Sequence, residues 1–306
     1  MEVHHYAILQ QRKLFERRIK CNMKEIKIVF LGIWFCSFTS AISAQADSIV
    51  LKDLQWDKNA PAGSTELFIP SAKSLIAGFI YCANGAGKHP TLLMLHGYPG
   101  NERNLDMAQV IRANGWNVIY FDYRGSWGSG GQFSFKNCVE DVVNVVTFCK
   151  KNADSLLIDT SNIVLFGHSM GGWVCLKALA QSPGIKKGFA LSTWNIYSDF
   201  KDVKTEQQMI MKVKEEGDYF VLNTPVEKIF QPVVVNSSYY NLLNDTTALA
   251  GKQIIMLDEH TGNKEIAEAI RKSNHTYFDY EVWQTDHPFT NKRISLINKV
   301  LEFLKR

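Results

Sequence analysis

The sequence of 306 residues lacks a C-x-x-C pair, a glycine-rich phosphate-binding loop after its first predicted strand, and any internal repeat. The first absence argues against a structural zinc site, because such sites are usually built from closely spaced cysteines. The second leaves nucleotide binding unsupported. Without repeats, and with an ordinary globular composition, the chain has the length of one large domain.

A charge excess is also lacking once the first 46 residues are set aside. The whole chain has 34 Lys and Arg against 30 Asp and Glu, and residues 1–46 hold seven of the basic and three of the acidic side chains. Residues 47–306 are therefore left with 27 of each sign. This balance argues against nucleic acid or an acidic membrane surface as a partner.

The basic excess belongs to a predicted export signal. Lys24 and Lys27 precede an apolar stretch at 28–38 that is too short to span a bilayer, and small residues lead up to Ala46. This pattern predicts cleavage after Ala46 and a secreted or periplasmic protein with no membrane span after cleavage. The signal is complete from Met23, which we predict to be the true start. An uncleaved anchor helix is the alternative.

Cysteine spacing argues against disulfides in the rest of the chain. Four cysteines follow the predicted signal: Cys82, Cys138, Cys149 and Cys175. Cys138 and Cys149 lie about three turns apart, roughly 16 Å, on one predicted helix, so they cannot bridge each other. We expect buried free thiols.

The hydrophobic pattern of residues 47–306 predicts alternating strands and helices. The predicted strands are 65–70, 75–83, 91–96, 117–123, 162–168, 188–193, 253–257 and 277–283, and the predicted helices are 104–114, 137–151, 170–181, 263–273 and 291–305. A leading hairpin followed by strand and helix units with nearly continuous apolar strands is typical of the α/β class. We therefore expect one α/β domain with a mostly parallel sheet of about eight strands and helices on both faces.

A long interruption separates the strands at 188–193 and 253–257. Residues 202–216 are charged and helix-forming, and a structureless loop of this length is improbable in a compact domain. We expect a helical cap at about 194–250, inserted over the carboxyl-terminal edge of the sheet. A surface elaboration far from the site is the alternative.

The sequence Gly-His-Ser-Met-Gly-Gly at 167–172 lies between a predicted strand and a predicted helix. A serine with glycine two residues away on each side is typical of a nucleophile elbow in this context. Side chains at Gly167 and Gly171 would clash with the opposite limb of the turn. The hydroxyl would also lie at a helix N-terminus, where free N–H groups favour developing negative charge. We predict that Ser169 is a nucleophile.

Three further segments accompany this elbow: His-Gly-Tyr-Pro-Gly at 96–100, Asp-Tyr-Arg-Gly at 122–125 and Asp-His-Pro-Phe at 286–289. Together the four segments resemble the α/β-hydrolase superfamily over residues 60–306. The loop at 96–100 and the stretch at 123–131 are most similar to the carboxylesterase and acyl-peptidase branch. The resemblance implies a catalytic triad in the chain order serine, acid, histidine.

The triad base is placed at His287, in the loop before the last helix, where the resembling folds carry it. The acid should follow the strand at 253–257, where many relatives have Gly-x-x-Asp and this chain has Asp258-Glu259-His260. Successive side chains at a strand end point in opposite directions. We favour Asp258, with Glu259 as the alternative acid. We expect this acidic run to be a loop with the triad acid and no metal site.

The resemblance also implies an oxyanion hole of two backbone N–H groups. One is that of Met170, directly after the nucleophile, and the other is that of Tyr98. Pro99 has no N–H and cannot serve. Trp127 and Trp194 are candidate walls of the substrate pocket.

These features predict a secreted or periplasmic serine hydrolase, requiring no cofactor, that forms an acyl-enzyme on Ser169 and cleaves carboxylic esters or small acyl amides. A propeller-less serine peptidase is the alternative, and it would bind the substrate amino terminus through carboxylates. The cap supplies the candidates Glu206, Glu215, Glu216 and Asp218. A non-catalytic binding module on the same fold is a third interpretation. It is disfavoured because both the serine and the histidine are kept.

Overall fold

The computed structural model describes residues 56–214 and 218–306, all of them within the unit Ala46–Arg306. The predicted extension and signal at 1–46 fall outside the described residues, so export stays a prediction. Within the described part of the chain, no helix has the length and apolar character needed to cross a membrane.

One sheet is built from eight strands of the described chain. They are β1 (Gly63–Ser71), β2 (Ser74–Cys82), β3 (His89–Leu95), β4 (Asn117–Phe121), β5 (Ile158–His168), β6 (Lys187–Leu191), β7 (Gln253–Asp258) and β8 (Tyr277–Val282). Across the sheet the order is β1-β2-β4-β3-β5-β6-β7-β8. Strand β2 pairs in antiparallel fashion with both of its neighbours, β1 and β4. The pairings described among β3 to β8 are all parallel. This arrangement confirms the predicted α/β class and the mostly parallel sheet.

Helices cover both faces of the sheet. In chain order they are α1 (Leu105–Ala113), α2 (Phe135–Lys151), α3 (Met170–Gln181), α4 (Ile196–Phe200), α5 (Glu206–Lys214), α6 (Val226–Val235), α7 (Ser237–Tyr240), α8 (Lys264–Ser273) and α9 (Arg293–Lys305). Side chains of β3 alternate between the two faces. Leu93 and Leu95 lie in the buried cluster that includes α2 and α3, whereas Leu92 and Met94 lie in the cluster that includes α1 and α9.

The thiols of the described residues are unpaired. Cys82, Cys138, Cys149 and Cys175 are all free, and the last three are buried. The expectation of free thiols is confirmed. Burial raises the pKa of the Cys149 thiol to about 12, so this group is an inert part of the core.

The interruption between β6 and β7 folds into helices α4 to α7 and a 3₁₀ turn at Leu242–Asp245. Lys177 joins this cap to α3, the helix that begins after the elbow. Its side chain is almost fully buried, and the ammonium donates to the Tyr239 carbonyl and to Asp245 Oδ2, both at 2.8 Å. The same ammonium lies 4.2 Å from the centre of the Tyr239 ring. The cap is therefore anchored to the elbow helix by a buried ion pair.

Replacing this lysine by an apolar side chain of similar length should destabilise the fold. We expect Lys177→Met to lower the free energy of unfolding by about 3 kcal/mol, because it leaves the Asp245 carboxylate without its partner. Urea denaturation measures the change. Lys151→Met, at an exposed position near the end of α2, is the control and should have little effect. If Lys177→Met were as stable as this control, or if adding Asp245→Asn recovered no stability, the anchoring role would be refuted.

Candidate active site

Ser169 occupies a strained turn between β5 and α3. Its φ of 61° and ψ of −120° lie outside the regions that non-glycine residues normally adopt. Two backbone hydrogen bonds hold this conformation: the Ser169 N–H donates to the Leu191 carbonyl at 2.9 Å, and the Trp194 N–H donates to the Ser169 carbonyl at 3.1 Å. The end of β6 therefore fixes the serine above the sheet.

The two glycines that flank the elbow are required by close backbone contacts. A Cβ at Gly167 would overlap the Gly171 carbonyl, and a Cβ at Gly171 would overlap the Leu95 carbonyl at the end of β3. The turn can therefore form only when both positions lack a side chain. This close approach is the packing that the spacing of the motif predicts.

His287 is hydrogen-bonded to Glu259. Its Nδ1–H donates to Glu259 Oε1 at 2.7 Å, and the second oxygen, Oε2, accepts a hydrogen bond from the Ser192 hydroxyl. Burial by itself would raise the pKa of Glu259, but these hydrogen bonds outweigh burial and lower the pKa to about 2. The carboxylate is therefore ionised at neutral pH and fixes the imidazole with its Nε2 directed away from Glu259.

Asp258, the favoured acid from sequence, does not contact His287. It is fully buried, and its Oδ1 and Oδ2 each accept a hydrogen bond at 3.0 Å, from the Thr193 N–H and from Asn263 Nδ2. Burial is the main cause that raises its pKa to about 6. Asp258 is the last residue of β7 and points inward, so Glu259, the alternative acid, takes the position beside the histidine. The first choice of acid is corrected accordingly.

A buried histidine that the sequence analysis did not single out supports the loop of His287. The His168 ring lies 4.8 Å from the His287 ring, and its Nε2 is 3.0 Å from the His287 carbonyl. Burial is the main cause that lowers the pKa of His168 to about 4, so the ring is neutral and donates through Nε2–H. Arg293 supports the same loop by donating to the Pro288 carbonyl at 3.1 Å.

The groups expected to form an oxyanion hole lie on either side of Ser169. Met170 is the first residue of α3 and directly follows the nucleophile. The loop after β3 reaches the serine from the other side, because a Cβ at Gly97 would lie 3.5 Å from Ser169 Oγ. Tyr98, the next residue of that loop, lines the same cavity as Ser169. Both positions are compatible with the predicted hole, which stays a prediction.

A cavity of about 710 Å³ contains Ser169 and His287. Its apolar wall comes from the loop after β3, the segment after β6 and the cap, through Tyr98, Trp194, Phe200, Val213 and Phe230. Helices α4, α5 and α6 of the cap therefore stand over the proposed nucleophile. This location favours the cap hypothesis over a remote surface elaboration.

Trp194 and Trp127, the two candidate wall residues, lie in different places. Trp194 lines the cavity with Ser169, and its Nε1–H donates to Asp199 at 2.6 Å. Trp127 lines a separate surface depression, and its Nε1–H donates to the Pro99 carbonyl at 2.8 Å. The expectation that Trp127 is a wall of the Ser169 cavity is corrected: its ring packs against the Arg103 guanidinium, which lies 4.6 Å from the ring centre.

The cap carboxylates proposed to bind an amino terminus do not line this cavity where they are described. Asp218 accepts a hydrogen bond at 2.8 Å from the N–H of Val226, the first residue of α6. Glu206 lies exposed at the start of α5. Glu215 and Glu216 fall outside the described residues. The acidic residue among the described cavity lining is Asp199. Within residues 56–214 and 218–306, no cluster of three His, Cys, Asp or Glu could hold a metal ion.

Known proteins match the fold of this chain and part of its sequence. A family model described as serine aminopeptidase, S33, matches residues 87–216. The structure is similar to an esterase of Pyrococcus furiosus, with a TM-score of 0.58 and 21% identity over 80% of this chain and 93% of that one. The chain has the α/β-hydrolase fold, and the family model that it matches is one of α/β hydrolases. This confirms the resemblance inferred from the four sequence segments.

Two other similarities of this α/β-hydrolase are partial. An acylaminoacyl peptidase of Pyrococcus horikoshii matches with a TM-score of 0.57 and 13% identity over 80% of this chain and 42% of that one. An uncharacterized 31.7 kDa Escherichia coli protein from the traX-finO intergenic region is 33% identical over 104 residues, which are 32% of this chain. The chain covers only about a third, 35%, of that curated relative. Such matches show the fold and leave the substrate to be proposed.

The lowered pKa of Glu259 predicts an acid-dependent loss of stability. The ordinary carboxyl pKa of 4.5 falls to about 2 in the folded protein, so the stabilisation is complete above about pH 4.5 and is lost as the pH falls toward 2. We expect wild type to lose about 2–3 kcal/mol more unfolding free energy than Glu259→Gln over this window. Urea denaturation at several pH values measures it. Glu302→Gln, exposed on α9, is the control and should follow wild type. Parallel curves for wild type and Glu259→Gln would contradict the assignment.

Proposed function

We propose that this α/β-hydrolase is a serine hydrolase that cleaves carboxylic esters or small acyl amides through an acyl-enzyme on Ser169. One observation carries the proposal: a serine in a strained elbow and a histidine held by an ionised carboxylate open into a single cavity. A serine hydroxyl is a weak nucleophile on its own and needs such a base. The predicted signal at 1–46 supports the further proposal that the reaction takes place outside the cytoplasm.

In the acylation step, Ser169 Oγ attacks the carbonyl carbon and its proton passes to His287 Nε2. Glu259 keeps the imidazole in the tautomer with hydrogen on Nδ1 and stabilises the imidazolium that forms. The backbone N–H groups of Met170 and Tyr98 are the proposed donors to the oxyanion, and each such donor is typically worth about 2.7–4 kcal/mol in the transition state. The imidazolium then gives its proton to the departing alcohol or amine.

Deacylation repeats the same proton transfers with water as the nucleophile. His287 takes a proton from water, which attacks the acyl carbon and forms a second tetrahedral intermediate. Collapse of this intermediate breaks the bond to Ser169 Oγ, and the imidazolium returns the proton to that oxygen. The carboxylic acid product then leaves the cavity, and the serine is restored.

The cavity supports a small-molecule substrate. Its volume of about 710 Å³ lies within the usual range for sites that bind small ligands. Tyr98, Trp194, Phe200 and Phe230 present aromatic surface next to the serine. This aromatic side of the cavity would accommodate an apolar acyl or alcohol group, and Asp199 and Lys212 add charged groups to the rest of the lining.

A serine peptidase is the second candidate function. The serine aminopeptidase family model and the similarity to an acylaminoacyl peptidase favour it. The cavity also holds one carboxylate, Asp199, that could receive a substrate amino group. Against it, Glu206 and Asp218 do not line the cavity, so a paired carboxylate site for an amino terminus is missing from the described lining. We therefore place ester cleavage first.

Covalent labelling tests the nucleophile directly. We expect a fluorophosphonate probe to label the purified protein, and Ser169→Ala to abolish the labelling without changing the melting temperature. A folded wild type that is not labelled would refute the proposal and favour a non-catalytic binding module. Hydrolysis of p-nitrophenyl esters of short and long acids, compared with aminoacyl p-nitroanilides, separates the candidates. A higher kcat/KM for the anilides would assign the peptidase function instead.

The two adjacent carboxylates should respond differently to conversion into amides. Glu259→Gln is expected to lower kcat for ester hydrolysis by about 10⁴-fold, because the imidazole loses the partner that fixes its tautomer. Asp258→Asn should instead lower the unfolding free energy by about 1–3 kcal/mol, since its amide group would oppose another donor at Asn263. It should keep most of the activity of the folded protein. Equal losses of kcat in the two variants would show that the acid has been misassigned.

A further inference from the structure

Ser192 lies at the end of β6 in an unusual backbone conformation. Its φ is 47°, in the left-handed region, and its N–H donates to the Leu257 carbonyl of β7 at 2.8 Å. Ser192 is fully buried, and it lies in the wall of the cavity that contains Ser169. A non-glycine residue rarely adopts this conformation, so the position is held by its neighbours.

The hydroxyl of Ser192 contacts the carboxylate that holds His287. It donates to Glu259 Oε2, while Glu259 Oε1 accepts from His287 Nδ1. Each oxygen of the carboxylate therefore has its own donor. Only about a seventh of the Glu259 side chain is exposed, at 14%, so solvent competes weakly for these oxygens.

A glutamate in this role needs a second contact more than an aspartate would. Its side chain has an additional rotatable bond, and ordering it costs more conformational entropy. The His287 bond alone leaves the carboxylate free to rotate about its last torsion. A donor on the opposite oxygen removes that freedom.

We propose that Ser192 is a positioning residue for the proposed base: its hydroxyl fixes the Glu259 carboxylate so that one oxygen faces His287 Nδ1. This inference rests on the proposed function and deepens it. The hydrogen bond of its hydroxyl is to Glu259, so Ser192 acts through that carboxylate. The bond from Ser192 also helps to lower the pKa of Glu259, which agrees with a contact to the ionised form.

Two substitutions distinguish the effect of the Ser192 hydroxyl from the effect of its left-handed backbone conformation. Ser192→Ala removes the hydroxyl and keeps the Cβ in the left-handed conformation, whereas Ser192→Gly removes the hydroxyl and relieves that conformation. We expect both to lower the rate of fluorophosphonate labelling and kcat for a p-nitrophenyl ester by about tenfold, the loss expected for one hydrogen bond to a charged group. KM should stay unchanged, because the hydroxyl contacts Glu259 rather than substrate.

The same measurements in a Glu259→Gln background test whether Ser192 acts through Glu259. We expect Ser192→Ala to cause a much smaller further loss there than in wild type. Ser161→Ala is the matched control, since the Ser161 hydroxyl donates to Asp159 at 2.6 Å on the exposed start of β5. It should label at the wild-type rate.

Each outcome has a defined meaning. The same fold loss in both backgrounds would assign Ser192 a general structural role and overturn the proposal. A change in KM alone would make Ser192 a substrate contact and would also overturn it. Normal labelling of Ser192→Ala and Ser192→Gly would reject the positioning role while leaving the serine hydrolase intact. A wild type that is not labelled would reject the hydrolase function and this role together.

Discussion

The parallel register of β5, β6 and β7 is the constraint on which the candidate site depends. Leu191 at the end of β6 pairs with His168 of β5 on one side and with Leu257 of β7 on the other. The residues that follow these three are Ser169, Ser192 and Asp258, so the register sets them in one row at one edge of the sheet. The nucleophile and the second donor therefore lie beside Asp258, and Glu259, the acid, is the next residue of the chain.

Two residues at this edge have a strained backbone. Ser169 and Ser192 both have positive φ, although neither is glycine. Each serine donates its backbone N–H to the carbonyl at the end of the next strand, Ser169 to Leu191 and Ser192 to Leu257. Such contacts hold a strained backbone in place. The fold therefore presents two hydroxyl groups whose orientation is set by the backbone rather than by side-chain rotation alone.

Local patterns in the sequence were sufficient for the sheet, the elbow and the position of His287. They were insufficient to identify the acid, because the choice between Asp258 and Glu259 depended on whether β7 ends at residue 257 or 258. With β7 ending at 257, Asp258 could turn toward the histidine, but the strand continues through Asp258, which pairs with Val282. Its side chain then points inward and Glu259 points toward the histidine. The contacts of His168 and Ser192 join residues far apart in the chain and have no local signature.

The ion pair between Lys177 and Asp245 also makes the cap and the elbow helix dependent on each other. A cap of different origin, grafted between β6 and β7, would have to bring its own acceptor for the Lys177 ammonium or leave that charge buried and unpaired. Exchange of caps between related hydrolases should therefore succeed when position 177 is exchanged with them. The cap that shapes the cavity and the helix that begins at the elbow therefore share one buried contact.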